Sequence, residues 1–184
     1  YLAAAEEIAA DQQVALLKIP EGAHGAAASM ILAGHLALFE KTGTRQYLEW
    51  ALATADAIRA RMFVTGGIGE MLNFTAPESD SDLHDETCQH SRWMSANLAL
   101  WRMAGEGRYL DVVERVFYNH FLFSQLHRGE DGGFCALGDV DQGFRGQHNF
   151  ICCDNEGWYG LMEILRHAIS VDASRREITV NLPV

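Results

Sequence analysis

Positive charge is in short supply in this chain. Fourteen Lys and Arg stand against twenty-five Asp and Glu, a formal net charge of −11 over 184 residues, so the cationic footprint that nucleic acid or an anionic membrane requires is missing. A neutral, sugar-like partner suits that charge better. Long apolar runs are missing as well: nothing approaches the ~20 residues of a membrane span. The opening stretch YLAAAEEIAADQQ has neither the charged start nor the apolar centre of a secretory signal. Cytoplasmic placement is therefore the expectation, with a secreted or periplasmic site as the alternative, because the chain opens on Tyr1 and a leader could have preceded it. Cysteine is sparse, four residues with two adjacent, a poor disulfide framework for a chain of this size. Proline is rarer still, at three residues, while 48% of the chain is hydrophobic. That balance excludes disordered and fibrous classes and supports one domain with a substantial core.

Helical periodicity runs through most of the sequence. In AHGAAASMILAGHLALFEKTG the apolar residues Met30, Leu32, Leu36 and Phe39 keep helical spacing up to Gly43, a natural left-handed terminator. RQYLEWALATADAIRARMF carries a second stripe through Tyr47, Leu48, Ala51, Leu52, Ala55 and Ile58. The glycine-rich VTGGIGEMLNFTAPESDSD resists helix formation. Further helices are predicted over 88–103 and 108–126, then an irregular stretch RGEDGGFCALGDVDQGFRGQHN that could hold a short hairpin. A helix in EGWYGLMEILRHAIS and a strand in REITVNLPV complete the reading.

A repeat organises these helices. LALFEKTGTRQYLEWA from Leu36 and LALWRMAGEGRYLDVV from Leu98 share an L-A-L-aromatic start, a glycine and a Tyr-Leu-acid triplet in register. Each copy reads as an antiparallel helical hairpin turning at Gly43 or Gly105. Hairpins of this size suggest part of an (α/α)6 toroid over residues 1–170, with a β-strand at the C-terminus. The chain is too short to close such a ring, so the remainder of the barrel would come from a longer chain or from other subunits. An open helical bundle with chance similarity is the alternative.

Three of the four cysteines fall in HDETCQHS (84–91) and FICCDNEG (150–157), both where irregular backbone meets a helix start. Inside a regular helix Glu86 and Cys88 would point to nearly opposite faces, whereas at a junction they can converge. Glu86, Cys88, Cys152 and Cys153 supply three thiols and a carboxylate, a set suited to tetrahedral Zn2+, with His84 and His90 as reserve ligands. Buried thiols acting as small hydrophobes and a disulfide between the adjacent pair are the competing readings.

In order along the chain, RMFVTGGIG, ETC, YLDVVERVFYNHFL and CC resemble glycoside hydrolase family 127, the β-L-arabinofuranosidases, with barrels of six helical hairpins followed by β-domains. The resemblance implies a retaining hydrolase in which zinc is held by Glu86, Cys88, Cys152 and Cys153 and Cys152 is the nucleophile. It also implies a general acid at Glu70, with Glu78 as runner-up, a sugar contact at His24, and the start of a β-sandwich region over residues 171–184. A carbohydrate substrate follows, with no nucleic-acid or membrane partner. Three departures stand out: Glu70 follows the glycines directly, Asp154-Asn155 replaces Pro-Pro-Asn after the cysteine pair, and GFCALGD puts Cys135 where an aromatic sugar contact is usual. A changed substrate is the inference. His35, Phe117, Tyr118 and Phe121 read as packing residues, and so do Trp93, Trp101 and Trp158, though an indole could also stack on a sugar. Two further functions fit the same sequence: a sugar epimerase or lyase on an α/α toroid with incidental thiols, and a non-catalytic protein with structural zinc.

Overall fold

The computed structural model describes residues 1–16, 23–69, 71–72, 85–124, 136–137 and 151–183, with the backbone alone for residues 12–16, 71, 85, 136–137, 151, 152 and 154. Among these residues six helices dominate: α1 (Leu2–Leu16), α2 (Gly25–Thr42), α3 (Arg45–Arg59), α4 (Thr87–Ala104), α5 (Arg108–Val116) and α6 (Ile151–Ala168). The described residues also form six short strands: β1 (Ala23–His24), β2 (Met71–Leu72), β3 (Asp85–Glu86), β4 (Ala136–Leu137), β5 (Ile169–Asp172) and β6 (Glu177–Val180). Among the described residues no helix is long and apolar enough to cross a membrane.

The repeat has a structural counterpart. Gly43 and Gly105 both cap their helices in the left-handed region, at φ 69° and 71°, and each donates its N–H back to an aromatic residue's carbonyl, Phe39 and Trp101, at 2.8 Å. Only a residue without Cβ takes that conformation cheaply. The chain then reverses within a few residues, so α3 returns along α2 and α5 along α4. The amphipathic stripes meet in the core: Tyr47, Ala51, Ala55 and Ile58 from α3, Tyr109, Val112, Val113 and Val116 from α5, all buried. Helices α2 and α4 lie side by side, linked at their C-terminal ends by an Arg102–Glu40 ion pair of 2.7 Å between repeat-equivalent residues. This pair is exposed and adds little stability; what holds the helices is the apolar seam of Leu32, Leu36, Trp93, Met94 and Leu98. The central helix α4 packs on α2, α5 and α6, so it buries residues on nearly every face.

The repeat also extends upstream of the helices. Antiparallel β1 pairs with β2, Ala23 opposite Leu72 and His24 opposite Met71. Antiparallel β3 pairs with β4, Asp85 opposite Leu137 and Glu86 opposite Ala136. Each two-residue ladder precedes the first residue of a helix, which brings His24 and Glu86 to equivalent N-cap positions.

Two sequence expectations need correction. The helix predicted over 108–126 stops being α-helical at Val116, passes through a π-helical turn at Phe117–Phe121 and ends in a 3-10 turn at Leu122–Ser124. The hairpin expected within 128–149 lies outside the described residues except for Ala136–Leu137, which pairs with β3. Finally, the last helix begins earlier, at Ile151, and ends at Ala168, where Ile169-Ser170-Val171-Asp172 switches to period-two alternation and forms β5 against β6. The Asp172 carboxylate accepts from Ser174 N–H at 3.0 Å, Ser174 Oγ at 2.6 Å and Arg175 N–H at 3.2 Å, which builds the turn between the two strands. The hydroxyl bond from Ser174 is the main reason this carboxyl lies below its ordinary range.

His35 is a core residue of α2, buried beneath α1 and edge-on to Trp50 at 5.6 Å. Burial lowers its pKa from 6.5, with the Ala9 backbone opposing more weakly. The unfolded chain therefore binds a proton there more readily than the folded one, so His35 subtracts stability as pH falls below 6.5 and costs nothing above it. Urea midpoints at pH 7.5 and 5.5 are expected to differ less in His35→Leu than in the parent. An unchanged difference would remove His35 from the acid response.

Candidate functional site

The N-termini of α2, α4 and α6 meet at one end of the molecule. Ala26, Cys88 and Cys153, each in the first turn of its helix, form a small buried cluster there. Glu86 precedes α4 in extended conformation, φ −102° and ψ 140°, and this break in the helix lets Glu-x-Cys converge. Its carboxylate and the two sulfurs lie within 4.8 Å of one another, and Cys88 Sγ is 3.4 Å from Cys153 Sγ. Both sulfurs are buried and are not joined as a disulfide.

This donor set fits a soft, tetrahedral cation. Two sulfurs bonded at ~2.3 Å to one such ion sit roughly 3.8 Å apart, close to the separation already present. The helix N-termini also place partial positive charge next to the sulfurs. Glu86, Cys88 and Cys153 are thus brought together by the structure. Glu70, Glu78, His84 and Cys135 lie outside the described residues, and Cys152 is described only by its backbone in the first turn of α6. His90, a reserve ligand by sequence, is buried against His120 instead, with ring centroids 4.6 Å apart. His24 stands at the mouth of α2, exposed, with Nδ1 accepting from Ala27 N–H at 3.4 Å. In its neutral form the ring proton is then on Nε2.

A second feature of the site escaped the sequence. The glycine loop Thr65–Gly69 is clamped by side chains from two directions. From α4, Gln89 donates to the Ile68 carbonyl at 2.7 Å. From the π-helical turn, Asn119 donates to the Thr65 carbonyl at 2.9 Å and His120 Nε2 is 2.7 Å from Thr65 Oγ1. A Cβ on Gly67 would stand 2.6–2.9 Å from three atoms of the His120 ring, so the loop lies directly on the imidazole. π-Helical turns recur at functional sites because the extra residue re-aims side chains; here consecutive residues, Asn119 and His120, reach the same loop. The adjacent Gly66-Gly67 was the only signal in the sequence of such a close approach. Gln89 is next to Cys88, and Met71, beyond the loop, pairs with His24. Ile68 and Met71 are therefore both tied to the thiol end of the molecule.

Of the tryptophans, Trp93 is fully buried and Trp101 partly so, but Trp158 is 51% exposed on α6 and is not core. Phe117 and Phe121 pack inside, whereas Tyr118 is exposed and donates to the Pro183 carbonyl.

The profile of the β-L-arabinofuranosidase catalytic domain of glycoside hydrolase family 127 matches residues 21–162. Among solved structures, a glycoside hydrolase superposes on 88% of this chain with a TM-score of 0.61 at 18% identity. The chain spans 31% of that protein's length, and the likeness is one of fold. No curated protein matches the sequence.

Proposed function

Because the chain belongs to the β-L-arabinofuranosidase catalytic-domain family of glycoside hydrolase family 127, we infer that it carries the thiol site of a retaining glycoside hydrolase acting on β-L-arabinofuranosides or related sugars. The observation that supports this best is the convergence of Glu86, Cys88 and Cys153 on one point at the helix N-termini. With Cys152 they would hold Zn2+, which when bound keeps sulfur in its nucleophilic thiolate form. In the proposed reaction the Cys152 sulfur bonds to the anomeric carbon as the glycosidic C–O bond breaks, and Glu70 gives its proton to the departing oxygen. Water then attacks the same carbon, Glu70 takes back a proton, and the C–S bond breaks to regenerate the thiolate with net retention. His24, with Nε2 available as a donor at the same end, would orient the sugar. Parallel helices α2 and α4, backed by α3 and α5, are consistent with an arc of an α/α toroid. The hairpin β5–β6, with Ile169, Val171, Ile178 and Val180 exposed on one face, would begin a β-domain.

The test uses the full-length protein, its zinc content and an arabinofuranose-mimicking electrophile. About one zinc per chain and a sugar adduct mapped to Cys152 are expected. Normal turnover in zinc-free, thiol-alkylated protein would instead favour proton-transfer chemistry on the same fold.

A further inference from the structure

Helices α4 and α6 approach each other close to the thiols, and their contacts keep a sequence offset of 64 or 65 residues. Cys88 meets Cys153 at a separation of 65 residues, Arg92 meets Glu156 at 64, and Ser95 meets Tyr159 at 64. A nearly constant offset means the helices run parallel, with each contact about one turn further from the site than the last. Close approach is possible because Gly160 has no side chain: the Ser91 hydroxyl occupies the space where a Cβ would be, and it donates to the Glu156 carbonyl.

Such a seam of small groups does not by itself choose a register. The polar contacts do. Arg92 Nη2 lies 2.5 Å from Glu156 Oε1, with the two side chains only 27% and 21% exposed. The guanidinium also sits 4.4 Å from the centre of the Tyr159 ring, and the Tyr159 hydroxyl is 2.9 Å from Ser95 Oγ. Sliding α6 by a single residue, ~1.5 Å along its axis with a rotation of ~100°, would separate this partly desolvated ion pair and carry Cys153 away from Cys88. A half-buried, charge-assisted contact is costly to break.

We propose that Arg92 and Glu156, braced by Tyr159, are positioning residues that set the spacing of the Cys88 and Cys153 thiols and so preorganise the site for its ion. Its functional consequence rests on the zinc reading above; the thiol spacing does not. Arg92 lies one turn beyond Cys88 on α4 and Glu156 one turn beyond Cys153 on α6, so the pair acts through the helices without touching the bound group.

The experiment separates the two claims. In full-length, metal-free protein with Cys135→Ser, Cys152→Ser and any cysteine outside these 184 residues replaced by serine, Cys88 and Cys153 are titrated with phenylarsine oxide, which is captured only when two sulfurs reach one arsenic. Fast stoichiometric capture is expected in this background, at least tenfold slower capture after Glu156→Gln, and recovery in the charge-swapped Arg92→Glu/Glu156→Arg protein. Zinc affinity of the otherwise native protein, read by competition with a chromophoric chelator, is expected to fall about 10–100-fold in Glu156→Gln, as for other outer partners of metal ligands. Should Glu156→Gln fail to fold, Tyr159→Leu removes the brace alone and is expected to slow capture to an intermediate degree. Capture and affinity indifferent to residue 156, or to residue 159 in that case, would overturn the proposal. Capture that depends on these residues in a protein that takes up no zinc would sustain it while refuting the metal reading.

Discussion

Cys88→Ser is expected to leave a folded protein that retains no zinc and hydrolyses its glycoside at least ~10³-fold more slowly, since residues of one catalytic unit fail together when one is removed. Serine is nearly the size of cysteine, so the pocket beside Ala26 and Cys153 keeps its shape. What changes is the donor: a neutral hydroxyl is a poor ligand for a borderline-soft ion and a worse neighbour for a buried thiol. The loss in metal affinity should exceed the ~10–100-fold typical of outer partners. Placing a hydroxyl where a sulfur was 8% exposed should cost about 1–3 kcal/mol, measurable by denaturant titration of the metal-free forms. Elemental analysis and initial rates on purified protein check the rest, and wild-type zinc content with wild-type turnover would exclude Cys88 as a ligand.

Gly67→Ala should destabilise the protein by about 1–3 kcal/mol, the usual penalty for overpacking, or a Tm lowered by roughly 2–12 °C in a chain of this size. Its methyl group would enter the His120 ring, which has little room to yield between Phe63 at 6.2 Å and His90 at 4.6 Å. Enlarging the space should reverse part of the effect: His120→Ala is expected to be destabilising alone, yet Gly67→Ala in that background should cost much less. A double-mutant cycle measures this coupling directly. Additive effects would show that the loop does not rest on His120.

Local signals carried much of the fold. The helix-ending glycines at 43 and 105 needed only the left-handed backbone preference of a residue without Cβ, and the stripes of α3 and α5 needed only helical period. The π-helical turn was different. Nothing in VFYNHFLFS breaks a helical pattern, and the π geometry goes together with contacts from Asn119 and His120 to a loop more than 50 residues away. The switch to β5 was readable in the alternation of Ile169 and Val171, but helix-forming Arg166, His167 and Ala168 masked the boundary.

The sequence alone determined the helical hairpins, their 62-residue repeat and the residue types capable of holding a thiophilic ion, because caps, periodicity and ligand chemistry are properties of neighbouring residues. Only the tertiary structure decided which of those residues meet. Cys88 and Cys153 are 65 positions apart, and their 3.4 Å approach depends on two parallel helices packed in one register, with Arg92, Glu156 and a glycine at the crossing. Register between distant helices is set by side chains that recognise one another in space, and no local pattern encodes it.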